Sequence, residues 1–253
     1  CSTRPGNCDP GRRAMNSILV LAPEPGEVVR LDARASRHVL RVLGKGVGDT
    51  VVVGLLHGPV APVTIRAVED GLVTVDRPRG PTPPVIPVEL ILALPRPKAM
   101  KRLWGPIASL GVERITVIGG EKVEASYFTS HAVDPDLYRG RLVEGLEQVR
   151  DTRLPEVFIE PSFDRFAEAF LPTWPASVRL LADPAGERSV RELVQPGDTV
   201  SLAVGPEGGW TDRERAAFLA HGFTPVSLGP RTLRTDTAVI ALLSLVREAQ
   251  TNA

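Results

Sequence analysis

A chain of 253 residues, 43% hydrophobic and 24% charged, has material for one large domain or two modest ones and is too apolar for disorder. Thirty Lys+Arg offset thirty Asp+Glu, which excludes a polycation that coats nucleic acid by charge alone but leaves room for a local basic face. The longest apolar runs, Val51–Leu56 and Ala238–Val246, fall far short of a membrane span.

The two cysteines, Cys1 and Cys8, lie in a Pro-, Gly- and Arg-rich leader ahead of Met15, after which Asn16-Ser-Ile-Leu-Val-Leu21 reads as a first strand. Residues 1–14 are therefore expected to be a non-native or upstream extension; they lack the apolar stretch of a secretory signal. Without them the chain has no cysteine, which excludes a thiol catalyst, a disulfide framework and a Cys-based zinc site. His38, His57, His131 and His221 are scattered without ligand spacing, so no metal is expected. The remainder reads as a soluble, cytoplasmic protein.

Residues 15–80 are β-rich, with short strands expected at Ile18–Leu21, Val28–Leu31, Thr50–Gly54, Val63–Val68 and Leu72–Val75. Gly48-Asp49, His57-Gly58-Pro59 and Asp70-Gly71 supply turns, and one short helix is expected at Ser36–Leu43. Strands of this length and spacing predict a small barrel. A proline-rich break at Pro78–Pro87 marks the domain boundary, with residues 81–87 as linker.

Residues 88–253 alternate strand and helix. Strands are expected at Val88–Ala93, Arg114–Ile118, Glu156–Ile159, Val178–Ala182, Thr199–Val204 and Pro225–Ser227. Helices are expected at Lys98–Leu110, Pro135–Gln148, Asp164–Phe170, Thr211–Ala220 and Thr235–Ala249. This rhythm predicts an α/β domain, a mostly parallel sheet with helices on both faces. Thr211 and Glu214 form a capping-box pattern that fixes where the fourth helix starts.

Two stretches stand out as candidates for chemistry. Val204-Gly-Pro-Glu-Gly-Gly-Trp210 joins an apolar strand to the capped helix, either as an ordinary turn or as a loop whose backbone approaches a ligand. It has neither the lysine of a P-loop nor the spacing of a dinucleotide fingerprint. Val226-Ser-Leu-Gly-Pro-Arg-Thr-Leu-Arg-Thr-Asp-Thr-Ala238 leads from a strand into a largely apolar helix capped by Thr235 or Asp236. Arg231 and Arg234 at the mouth of that buried helix are either surface charge or anion-handling groups in a cleft.

Together the two stretches resemble the ribosomal RNA small subunit methyltransferase E family of the SPOUT class. The resemblance runs from Met15 to the C-terminus and includes Arg37-His38-Val-Leu-Arg41 with Gly48-Asp49, Ala93-Leu-Pro95, Leu110-Gly-Val112 and Glu147-Gln148. It implies a PUA-like RNA-binding β-barrel followed by an α/β domain tied in a deep trefoil knot, working as a homodimer. It also implies S-adenosylmethionine as methyl donor, bent within the knot and held by Leu181 and the loop after the Val178–Ala182 strand, by Gly205, Pro206, Glu207, Gly208 and Gly209, and by Leu228, Gly229, Leu233 and Arg234.

The implied product is N3-methyluridine in 16S rRNA. The N3 imide proton must leave, so the reaction needs in-line positioning, a positive group near O2 or O4, and a base. Arg234 is assigned the positive group, and Asp236 or Glu207 the base. N3 lies on the Watson–Crick edge, so the target base must be unpaired or turned out. RNA contact is expected from Arg34, Arg37, His38 and Arg41, and from Arg96, Lys98, Lys101 and Arg102.

The sequence departs from the family pattern in three places. A Lys-Met-Glu segment is replaced by Lys98-Ala-Met-Lys101-Arg102, with Pro106 near the place of a second lysine. Glu-Gln-x-x-Arg becomes Glu147-Gln148-Val-Arg-Asp151, and Trp210 stands where Phe or Leu is usual. The competing readings are a non-catalytic RNA-binding or ribosome-assembly factor and a SPOUT enzyme with another RNA target.

Overall fold

The computed structural model describes residues 17–173 and 175–251. The expected extension, both cysteines and Met15 lie outside the described residues. The chain divides into two compact units: one takes in the described residues up to Pro83 together with Leu146–Thr152, the other Pro84–Gly145 and the described residues from Arg153 onward. The sequence reading kept residues 88–253 together and did not foresee that Leu146–Thr152 belong to the first unit. Hydrogen bonding explains the assignment. The Glu147 carboxylate accepts from Leu19 N at 3.0 Å, and His57 N donates to Thr152 O at 2.8 Å.

The first unit is a five-stranded mixed sheet of β1 (Ile18–Val20), β2 (Val28–Arg30), β3 (Thr50–Leu55), β4 (Val60–Glu69) and β5 (Leu72–Asp76), in the order β1-β3-β4-β5-β2. β1 runs parallel to β3, and the other pairs are antiparallel. Among the described residues no ladder joins β1 to β2, so backbone ladders alone do not close these strands into the small barrel that their spacing predicts. Period-two alternation turns Val51, Val53, Val63, Ile65, Val73 and Val75 into the core. α1 (Ala33–Arg37) starts three residues earlier than expected, because Asp32 caps it by accepting from Ala35 N at 2.7 Å. A π-helical turn over His38–Val42 continues it.

The second unit is a six-stranded, wholly parallel sheet in the order β11-β9-β10-β6-β7-β8. Its strands are β6 (Val88–Ala93), β7 (Arg114–Ile118), β8 (Glu156–Glu160), β9 (Val178–Ala182), β10 (Val200–Val204) and β11 (Thr224–Val226). The central strands β6 and β10 are almost continuously buried, as strands covered on both faces must be. Ile91, Ala93, Leu181 and Ala203 meet Phe163 and Phe166 of α4 (Phe163–Ala169) and Phe218 of α6 (Asp212–Ala220) on one face. Leu90, Leu92 and Leu202 alternate to the other face and are equally buried; α7 (Thr235–Thr251) packs on β10, and α2 (Pro97–Ser109) packs on α7. α3 (Pro135–Val149) and the one-turn α5 (Val190–Leu193) complete the helices, and α5 was not anticipated because four residues carry no readable period. α3 ends on Arg150 in the left-handed region (φ 58°), with Asp151 N donating to Leu146 O, which gives the displaced arginine of the Glu147-Gln148 motif a backbone role.

Candidate active site

In an open parallel sheet the crevice outside the carboxyl ends of the strands is where ligands bind. There, at the ends of β9, β10 and β11, the second unit has a cleft of about 250 Å³. Its walls are Ala182–Pro184 at the end of β9, Val204–Gly209 at the end of β10, Val226–Gly229 and Arg231–Leu233 from the end of β11 onward, and Thr235, Ala238 and Leu242 on α7.

Local chemistry shapes each wall. Gly209 N donates to Pro206 O at 2.9 Å, closing a turn around Glu207 and Gly208, and Gly209 at φ +67° carries the chain out of it. Gly229 sits at φ +98°, and its amide donates to Ser227 Oγ at 3.1 Å. A Cβ at either glycine would enter open space. Two contacts hold the glycine loop from outside: Lys122 Nζ donates to Gly208 O at 2.8 Å, and Arg96 N donates to Glu207 Oε1 at 3.1 Å. Behind the loop the Trp210 ring lies against Gly205 and Phe218, and its buried Nε1 has no hydrogen-bond partner among the described residues.

Glu214 anchors the helix that follows. Wholly buried, it accepts from Thr211 N and from Glu121 N, each at 2.8 Å, while Glu214 N donates to Thr211 Oγ1 in the expected capping box. Arg213 in the preceding position bridges Glu121 and Asp164, whose hydrogen bonds raise its pKa above the ordinary guanidinium value. Glu214→Ala removes a buried acceptor and with it the hydrogen bonds of two amides that solvent can partly reach, at about 0.5–1.5 kcal/mol each. Chemical denaturation of the variant should therefore show a loss of about 1–3 kcal/mol, and a loss below about 0.5 kcal/mol would mean that the capping box does not hold this end of the site.

The structure gathers Gly205, Pro206, Glu207, Gly208, Gly209, Leu228, Gly229 and Leu233 around the one cleft. Leu181 is different: its side chain is fully buried among the core residues, and the wall begins one residue later. Arg234 also lies outside the wall, 72% exposed, with its guanidinium 3.1 Å from Asp236. Asp236 borders a neighbouring hollow between α2 and α7, where the same carboxylate oxygen accepts from Arg102 at 2.9 Å. Two of the three catalytic candidates thus meet, and Glu207 is bonded elsewhere.

The expected RNA-contact residues divide in a similar way. In the first unit Arg37 and Arg41 are exposed and His38 is half-buried. The Arg34 fork is taken up by both oxygens of Glu147, at 2.9 and 3.2 Å, so this pair builds the unit itself. In the second unit Arg96, Lys98, Lys101 and Arg102 are exposed at the start of α2. Glu147→Ala leaves Leu19 N without its acceptor and should cost about 1–3 kcal/mol of stability, measured by thermal or urea unfolding. An unchanged midpoint would contradict this role for Glu147.

The loop after β9 and Arg231 at the mouth of the last helix were expected near the site, whereas Val204, Val226, Ser227, Thr232, Thr235, Ala238 and Leu242 were not foreseen in the wall. A signal for several of them existed, because they are the residues that end a parallel strand or open the helix after it.

The RNA methyltransferase domain family matches residues 81–247. The ribosomal RNA small subunit methyltransferase E of Treponema pallidum is 32% identical over 250 residues, covering 92% of this chain and 90% of that protein. A Legionella pneumophila protein solved in complex with the bound cofactor SAM has a TM-score of 0.76 at 27% identity, covering 92% of this chain and 98% of that one. The ribosomal RNA small subunit methyltransferase E of Neisseria gonorrhoeae, solved bound to S-adenosyl methionine, shares the fold with a TM-score of 0.76 at 22% identity, over 92% of this chain and 97% of that one. The matched span contains every wall of the cleft, and the chain belongs to the ribosomal RNA small subunit methyltransferase E family.

Proposed function

We propose that the protein transfers the methyl group of S-adenosylmethionine to N3 of a uridine in 16S rRNA. The observation that carries this reading is the cleft at the ends of β9, β10 and β11, where two left-handed glycines leave space that any side chain would occupy. The fit to the cofactor is good: backbone groups of both glycine segments line the cleft, apolar Leu228, Leu233 and Leu242 can cover an adenine, and Asp183 and Ser227 offer polar partners. When bound, the cofactor supplies an electrophilic methyl group on a sulfonium.

The chain's own residues then position the uridine and manage its charge. Arg234, exposed beside the cleft, meets the negative charge that builds on O2 or O4 as the imide proton leaves. Asp236 is held by Arg102 and Arg234 together, which suits it to orienting Arg234. Glu207 stands in the cleft wall with Oε1 accepting from Arg96 N, and its other oxygen, which has no hydrogen bond among the described residues, takes the proton.

In this reading the second unit carries the deep trefoil knot of the SPOUT class and the first is the PUA-like barrel. Support comes from the shared fold and from the convergence of the β9, β10 and β11 loops on one cleft. RNA is held by Arg37, His38 and Arg41 on the first unit and by Arg96, just ahead of α2, with Lys98 and Lys101 on it. A homodimer in the cytoplasm completes the reading: Leu103, Pro106, Ile240 and Ala241 line an apolar hollow that a two-fold copy would cover, and among the described residues no helix is long and apolar enough to cross a membrane. Calorimetric titration with S-adenosylmethionine and its demethylated product should show about one site per chain. Absence of binding, with RNA present as well, would overturn the reading.

A further inference from the structure

Asp183 and Glu207 are the two carboxylates in the cleft wall, and they differ sharply in setting. Glu207 is exposed, whereas the Asp183 side chain is only 14% exposed. Asp183 N donates to Val226 O at 3.0 Å, which pins the residue to the end of the sheet. Its Oδ1 accepts from Ala185 N at 2.9 Å, and its Oδ2 accepts from Arg215 Nε of α6 at 2.6 Å. A carboxylate has about four lone-pair positions, so two remain for a group in the cleft.

Arg215 does not itself line the cleft. The wall therefore presents a strong acceptor whose charge is already balanced by a guanidinium outside it. Such a group favours a neutral hydroxyl donor and gains little from a cation, because the attraction to Asp183 is offset by repulsion from Arg215. S-adenosylmethionine offers both kinds of partner: a vicinal ribose diol, and the sulfonium and ammonium cations. An acidic side chain near the end of a parallel strand is also how dinucleotide-binding sheets hold a ribose hydroxyl.

We propose that Asp183 hydrogen-bonds the ribose hydroxyls of the cofactor, and that Arg215 removes its preference for the sulfonium. The cofactor and its neutral thioether product are then held equally at this point, and discrimination between them lies elsewhere in the site. The inference rests on the S-adenosylmethionine reading above.

Calorimetry with S-adenosylmethionine, S-adenosylhomocysteine and an S-adenosylhomocysteine analogue lacking both ribose hydroxyls tests it. Asp183→Ala should weaken the first two by about 10- to 100-fold, and by the same factor within about twofold. The dideoxy analogue should bind the unaltered protein weakly and lose nothing further in Asp183→Ala, as a coupled pair requires. Arg215→Gln should raise the affinity for S-adenosylmethionine relative to its product several-fold, a change that a purely structural role would not produce. Asp183→Asn, which keeps the shape of the side chain, carries the test in the same direction if the alanine variant does not fold. Unchanged affinities in Asp183→Ala, or a loss more than tenfold larger for S-adenosylmethionine than for its product, would overturn the inference while leaving the cofactor reading intact. An unaltered protein that binds neither ligand would overturn both.

Discussion

Valine at Gly209 or Gly229 should weaken S-adenosylmethionine binding by about 10- to 100-fold while leaving the protein folded. The two glycines sit at φ +67° and +98°, where a β-branched residue is an outlier. Holding such a residue there costs about 1–3 kcal/mol, and the loop relieves the strain by moving out of the geometry that lines the cleft. Neither new Cβ would meet an atom within 4 Å, so the core is not overpacked and the loss should fall on the ligand site. Titration calorimetry reads the affinity, and a melting curve without ligand separates it from unfolding. Affinity within twofold of the unaltered protein would show that the glycine loops do not form the cofactor site.

Arg234→Ala should lower the single-turnover rate of methyl transfer by about 100- to 1000-fold, the range seen when a donor to a developing oxyanion is removed. Cofactor affinity should hardly change, because Arg234 lies outside the cleft wall. Glu207→Gln should slow transfer by about 100-fold or more and make the rate climb more steeply with pH, since the imide proton must then be lost to solvent. If Asp236→Asn shows the steeper pH dependence and Glu207→Gln does not, the base is Asp236. If Arg234→Ala transfers methyl groups at the original rate, the positive group lies elsewhere.

The alternation of strand and helix from Val88 onward was legible because two-sided burial writes runs such as Val88-Glu-Leu-Ile-Leu-Ala93 directly into the sequence. Thr211 and Glu214 marked a helix start for an equally local reason. What escaped was long-range. Glu147 and Leu19 are 128 positions apart, so nothing near Glu147 indicates that it completes the first unit. Arg102 and Asp236, 134 positions apart, were assigned to RNA and to catalysis separately, and only the fold shows them paired. At the end of β9 the Leu181 side chain turns into the core and the wall starts at Ala182, an alternation of one residue that the strand pattern does not locate. Asp183 gave no warning because a single acidic residue after a strand has no pattern of its own.

Methyl transfer itself decides whether this chain is the enzyme its cleft suggests. Purified protein, isotopically labelled S-adenosylmethionine and small ribosomal subunits lacking base methylation would be incubated together, and the 16S rRNA digested to nucleosides for mass spectrometry. Labelled N3-methyluridine is expected, approaching one per subunit and mapping to a single position. Cofactor binding without label in the RNA, or label on a different base or atom, would contradict the proposed reaction.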